Sequence, residues 1–71
     1  MNRKKFDRAS FKILAERRTQ QAILYITNLA STSNREIYEY TEDDIKRCFN
    51  RIDKALEESK KTYQKEMMII L

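Results

Sequence analysis

The carboxylates of Glu42, Asp43 and Asp44 form the densest group of side chains in this sequence that could bind a metal ion or transfer a proton. Consecutive helical residues project about 100° apart around the axis, whereas metal ligands must converge on one point. Acidic side chains in a first helical turn also stabilise the positive end of the helix dipole. We therefore interpret the three acids as helix capping and predict no metal site.

Nucleophilic and acid-base chemistry has few further candidates. The chain has one cysteine, Cys48, and no histidine, so a cysteine and histidine metal site and an intrachain disulfide are both excluded. No histidine is available to activate Cys48, which we expect to be a buried, inert thiol beside an apolar face. Without glycine, the chain also lacks the loops that cradle nucleotide phosphates. The sequence predicts no catalytic residue, no cofactor and no small-molecule substrate, and therefore a protein that is not an enzyme.

The element that must position the three acids is a helix predicted over residues 42–68. Thr41 is a suitable N-cap, and Asp44 stands where its carboxylate can reach back to the N-cap backbone. Tyr40 and Ile45 occupy the two positions of a hydrophobic staple. Beyond the cap, one face carries residues that alternate four and three positions apart, the spacing of a coiled-coil seam. These are Ile45, Phe49, Ile52, Leu56, Ser59 and Tyr63.

A first helix is predicted over residues 8–31, where apolar or small residues recur at helical spacing. Arg18 interrupts this face, and we expect its stem to lie along the seam with the guanidinium at a carboxylate or in solvent. Ile13 and Leu24 project from roughly the opposite side. Scattered exposed apolar residues are common, but one partner helix cannot cover both sides, so we favour a self-association face there.

The connection between the helices is predicted over residues 32–41. Ser31 to Asn34 form an uncharged polar cluster, and in the absence of glycine we expect Asn34 to take a left-handed conformation. The chain also contains no proline, so we expect no strands joined by tight hairpins. The sequence thus predicts an all-α protein, a single domain over residues 1–71 built as an antiparallel two-helix hairpin. Because so short a chain has a large surface relative to its core, we expect a homo-oligomer, a dimer or higher helical bundle.

Positive charge is concentrated in residues 1–18, which hold seven basic and two acidic side chains, while the remainder holds eight basic and nine acidic ones. One interpretation is a nucleic-acid-binding surface that neutralises phosphates. The alternative, which we favour, is a solvated basic end over residues 1–7 that is frayed and maintains solubility. The candidate nucleic-acid contacts are Arg3, Lys4, Lys5, Arg8, Lys12 and Arg17.

The last five residues are apolar and need a covering surface, in a second copy of the chain or in a different protein. The alternative is that the second helix and its seam simply continue through them. They are Met67, Met68, Ile69, Ile70 and Leu71. This run is too short to cross a bilayer, and no apolar stretch of signal-peptide length follows the basic start, so we expect a cytoplasmic protein without membrane contact. The favoured function is a non-enzymatic protein-interaction module, a regulator or adaptor that acts through helix pairing.

Overall fold

The computed structural model describes residues 7 to 71, which contain two α-helices and no strand. Helix α1 is Arg8–Ala30 and helix α2 is Glu42–Met67. The prediction of an all-α chain with two helices is confirmed. Each helix ends one residue earlier than the sequence predicts, because Ser31 and Met68 act as caps.

Helix α2 begins with the predicted capping box. The backbone N–H of Asp44 donates to Thr41 Oγ1 at 3.1 Å, and the backbone N–H of Thr41 donates to Asp44 Oδ2 at 2.9 Å. Two backbone donors that the helix itself cannot satisfy are therefore bonded reciprocally. Tyr40 and Ile45, the predicted staple pair, are both half-buried, in contrast to most of the described chain.

Helix α1 begins at the N-cap Asp7, which the sequence analysis considered only as one of two negative charges. Asp7 has extended backbone angles, and its Oδ1 accepts the backbone N–H of Ser10 at 2.8 Å. Aspartate is among the best N-cap residues, so residue type and position alone could have identified this cap. The hydrogen bond from the Ser10 backbone lowers the pKa of Asp7 below its ordinary value, because it stabilises the carboxylate form.

The carboxyl end of α1 is closed by the polar cluster that follows it. The backbone N–H groups of Ser31, Thr32 and Ser33 donate to the carbonyls of Asn28, Leu29 and Ala30, each at 3.1 Å. The hydroxyls of Ser31 and Thr32 donate to two of the same carbonyls. These bonds span three residues and tighten the last turn, so the final carbonyls are satisfied without a glycine.

Asn34 does not take the left-handed conformation that we predicted, since Met68 is the one non-glycine residue with positive φ among those described. The Asn34 side chain instead accepts the backbone N–H of Glu36 at 2.9 Å. Its carbonyl accepts the N–H groups of Ile37 and Tyr38 at 3.1 and 2.9 Å. Asn34 thus forms a local side-chain turn at ordinary backbone angles.

The left-handed residue lies at the end of α2. Met68 has φ 57° and ψ 43°, and its backbone N–H donates to the carbonyl of Gln64. The N–H of Ile69 donates to the same carbonyl at 3.2 Å. A residue with a Cβ atom pays a steric penalty in this conformation, which glycine usually occupies. The helix therefore stops at Met67, and the alternative in which α2 continues through the last five residues is wrong.

No side chain between residues 7 and 71 is buried. The most enclosed apolar side chains, including those of Leu29, Cys48 and Ile52, are only half-buried. Burial of apolar surface is the dominant favourable contribution to folding. The described residues therefore form capped, hydrogen-bonded helices, but they have no hydrophobic core of their own.

Candidate interaction surfaces

The seam of α2 is a straight apolar stripe on one side of the helix. Its large members remain accessible, with Phe49 44% exposed, Leu56 52% and Tyr63 49%. Ser59 interrupts the stripe, and its hydroxyl donates to the backbone carbonyl of Ala55 at 2.9 Å. A serine bonded to its own helix presents a small and largely satisfied surface, which permits close approach of another helix.

The two borders of the seam differ in character. One border carries the charged side chains of Lys46, Asp53 and Lys60, and the other carries small residues at the same seven-residue interval. Those small residues are Cys48, Ala55 and Thr62. Cys48 belongs to this border and is half-buried, so the prediction of a buried thiol is wrong for the described residues.

Helix α1 is apolar on more than one side. Leu14, Ile26 and Phe11 of its main face are 40%, 43% and 49% exposed. Ile13 and Leu24, which we predicted as a second face, are 62% and 55% exposed. Eleven residues make about three helical turns, so these two side chains lie in one row along the helix. The structure thus leaves both side chains accessible in one row, with Arg17 and Gln20 between them.

The last residues differ among themselves in exposure. Met68 and Ile70 are 91% and 94% exposed, whereas Ile69 is 42% exposed. The tail is therefore the most accessible apolar segment of the described chain. Apart from Met67, it lies at and beyond the left-handed cap, so it does not extend the stripe of α2.

The predicted nucleic-acid contacts lie only partly within the described residues. Arg3, Lys4 and Lys5 lie outside them. Arg8 and Lys12 are exposed on one side of α1, and Arg17 projects from a direction roughly 140° from Lys12, given 100° per residue. The structure therefore does not gather these three cations on a single helical face.

A more regular row of cations lies on α2, on the side opposite the seam, and the sequence interpretation missed it. Each position of this row lies two residues after a position of the seam, and Glu58 is its one acidic member. Sorting the charged residues of α2 by their position around the helix, relative to the seam, could have identified this row from the sequence. The cations are Arg47, Arg51, Lys54, Lys61 and Lys65, and all are exposed.

Of the three acids at the start of α2, Asp44 completes the capping box, and Glu42 and Asp43 lie in the same first turn. Within residues 7 to 71, no three carboxylate, cysteine or histidine side chains are grouped to hold a metal ion. Glu42 pairs with Lys46, with Oε1 and Nζ 3.2 Å apart. The pKa of Asp44 lies below its ordinary value because the Thr41 backbone N–H, and then its hydroxyl, bond to the carboxylate.

These observations define a class, an all-α chain whose two helices carry accessible apolar faces. In the part of the chain that the structure describes, neither helix has a stretch long and apolar enough to cross a membrane. Comparison with protein-family models, with curated proteins and with solved structures gives no match to this chain.

Proposed function

We propose that this protein is a non-enzymatic interaction module, a regulator or adaptor, whose activity is the pairing of its helices with those of a second copy and of a protein partner. The observation that carries the proposal is the coexistence of well-capped helices with apolar faces that are not buried. Such faces on a charged chain are typical of surfaces that another chain covers.

In the assembly that we propose, each chain forms an antiparallel hairpin whose apolar faces meet, and two or more hairpins complete a helical bundle. The main face of α1 and the seam of α2 form the shared core. Ile13, Leu24 and the apolar tail, Met67 to Leu71, then contact the second copy or the partner. Bundles of this kind bury apolar positions from every helix, which a single short chain does not achieve.

Sedimentation equilibrium at tens of micromolar tests this proposal. We expect the wild-type chain to associate, and Leu24→Gln to weaken association. Ile23→Gln is the matched control, because Ile23 is 59% exposed on the same helix and projects about 100° away from Leu24. A folded wild-type monomer, or equal effects of the two substitutions, would refute the proposal. Far-UV circular dichroism of each variant checks that α1 still forms.

A second candidate function is nucleic-acid binding through the basic amino-terminal quarter, favoured by its excess of five positive charges over 18 residues. Binding of this type depends on phosphate neutralisation and weakens steeply with salt. The test is low-salt binding to mixed DNA and RNA, before and after Arg3, Lys4, Lys5 and Arg8 are replaced by glutamine. Absence of binding, or binding that survives the replacement, excludes this function. Replacement of Arg47, Arg51 and Lys54 by glutamine is the control for charge alone.

A further inference from the structure

We propose that Met68 is an oxidation site, and that conversion of its thioether to the sulfoxide by a hydroperoxide weakens the contacts of the apolar tail. The effect on association rests on the proposed function, in which the tail contacts another chain. The site itself rests on the position of Met68 at the end of α2.

Among residues 7 to 71, Met68 is the most exposed residue that contains sulfur. It is 91% exposed, compared with 60% for Met67, and Cys48 is half-buried. An oxidant must reach the sulfur atom before it can react, so the reactivity of a methionine increases with its exposure. We therefore expect Met68 to be oxidised before Met67.

The backbone at the end of α2 explains this difference in exposure. Met67 is the last helical residue, and long side chains in a helix point back over the preceding turn, which shields part of them. Met68 lies outside the helix at φ 57°. The backbone N–H groups of Met68 and Ile69 both donate to the carbonyl of Gln64. These bonds hold the backbone of Met68 and leave its side chain accessible.

The reaction is a two-electron oxidation that transfers one oxygen atom. With hydrogen peroxide, the thioether sulfur of Met68 attacks one peroxide oxygen, an S–O bond forms and the O–O bond breaks. The hydroxide that leaves takes the proton from the transferred oxygen and becomes water. Methionine sulfoxide reductases reverse the change, using a thiol reductant that is oxidised to a disulfide while the oxygen leaves as water.

Oxidation changes the character of the tail and leaves the helix intact. The sulfoxide is a polar acceptor, and burying such a group without a hydrogen-bond donor is unfavourable. The residues that follow, Ile69, Ile70 and Leu71, are all apolar. A sulfoxide among them therefore opposes burial of the tail against an apolar surface. The hydrogen bonds that end α2 involve the Met68 backbone, so we expect the helix to persist.

Peroxide treatment of the full chain tests both parts of the proposal, with Cys48→Ser as the background that removes thiol oxidation. Mass spectrometry of peptides follows sulfoxide formation, and we expect the sulfoxide of Met68 to accumulate before that of Met67. Sedimentation equilibrium should then show association weakened severalfold, and methionine sulfoxide reductase should restore it. Far-UV circular dichroism should show unchanged helix content.

Two leucine variants in the same background assign the effect to one residue. Met68→Leu keeps an apolar side chain without a sulfur atom, so association of this variant should resist peroxide. Met67→Leu is the matched control, and its association should remain sensitive. Equal sensitivity of the two variants would overturn the assignment to Met68.

The remaining outcomes separate the proposal from the proposed function. Oxidation of Met67 at the same rate as Met68, or faster, would overturn the site. Selective oxidation of Met68 that leaves association unchanged, in samples that associate before treatment, would overturn the effect on the tail while leaving the proposed function intact. Loss of helix content on oxidation would also overturn that effect. A chain that is monomeric before treatment would overturn the proposed function and the effect on association together, and the site would then stand or fall on the mass spectra alone.

Discussion

Leu56→Ala gives the sharpest measure of how much the α2 seam contributes to association. Complete burial of a leucine side chain is worth about 1.5 to 3 kcal/mol. Leu56 is 52% exposed on its own helix, so about half of this free energy is still to be gained when a partner covers it. Two copies in a dimer gain it twice, which is roughly 1.5 to 3 kcal/mol in all. We therefore expect Leu56→Ala to weaken dimerisation about tenfold to a hundredfold.

Sedimentation equilibrium over a range of protein concentrations measures this change as a shift in the dimerisation constant. Arg51→Ala is the control, because Arg51 is exposed on the opposite side of the same helix and alanine favours helix at both positions. A change of less than about threefold for Leu56→Ala, or an equal change for Arg51→Ala, would refute the role of the seam. Far-UV circular dichroism at high protein concentration separates loss of association from loss of helix.

Three further predictions follow from the caps and the tail. Thr41→Ala should destabilise α2 by roughly 1 kcal/mol, measured by thermal unfolding, whereas Thr41→Ser should restore most of the loss because its hydroxyl can still accept the Asp44 N–H. Asp7 and Asp44 have lowered pKa values, so their stabilising contribution is complete above about pH 3.8 and is lost as the pH falls through the lowered values. Helix content measured during acid titration should therefore decrease below about pH 3.8, and Asp44→Asn should reduce that decrease; an unchanged titration contradicts the capping role. Ile70→Lys should weaken association severalfold in sedimentation experiments while helix content stays constant, and equal association would remove the tail from the interface.

The two helices could be predicted because their signals are local. The Thr41 cap, the Asp44 carboxylate and the apolar periodicity of α2 each concern residues within about one helical turn or a regular repeat of turns. Such interactions form in the same way wherever the helix is placed. The same reasoning would have found Asp7, which was overlooked because it was considered only as a charge among basic residues.

Backbone conformation at the turns was less predictable. Asn34 and Met68 both follow a helix, and asparagine is the residue that more readily takes a left-handed conformation. The structure gives that conformation to Met68, while Asn34 uses its side chain to hold Glu36. Several hydrogen-bonding patterns can close a helix without glycine, and residue type alone did not identify the ones used here.

The sequence by itself determined that this protein is helical, where its helices begin, and that Glu42, Asp43 and Asp44 serve a helix start. The tertiary structure decided how much of each apolar face remains accessible, with Leu24 and Ile70 exposed and Ile52 half-buried. It also showed that the tail beyond Met68 departs from the α2 stripe. The physical reason is that capping and periodicity depend on neighbours along the chain, whereas burial depends on whichever surfaces meet in space. For this protein, those meeting surfaces are also where we place its function.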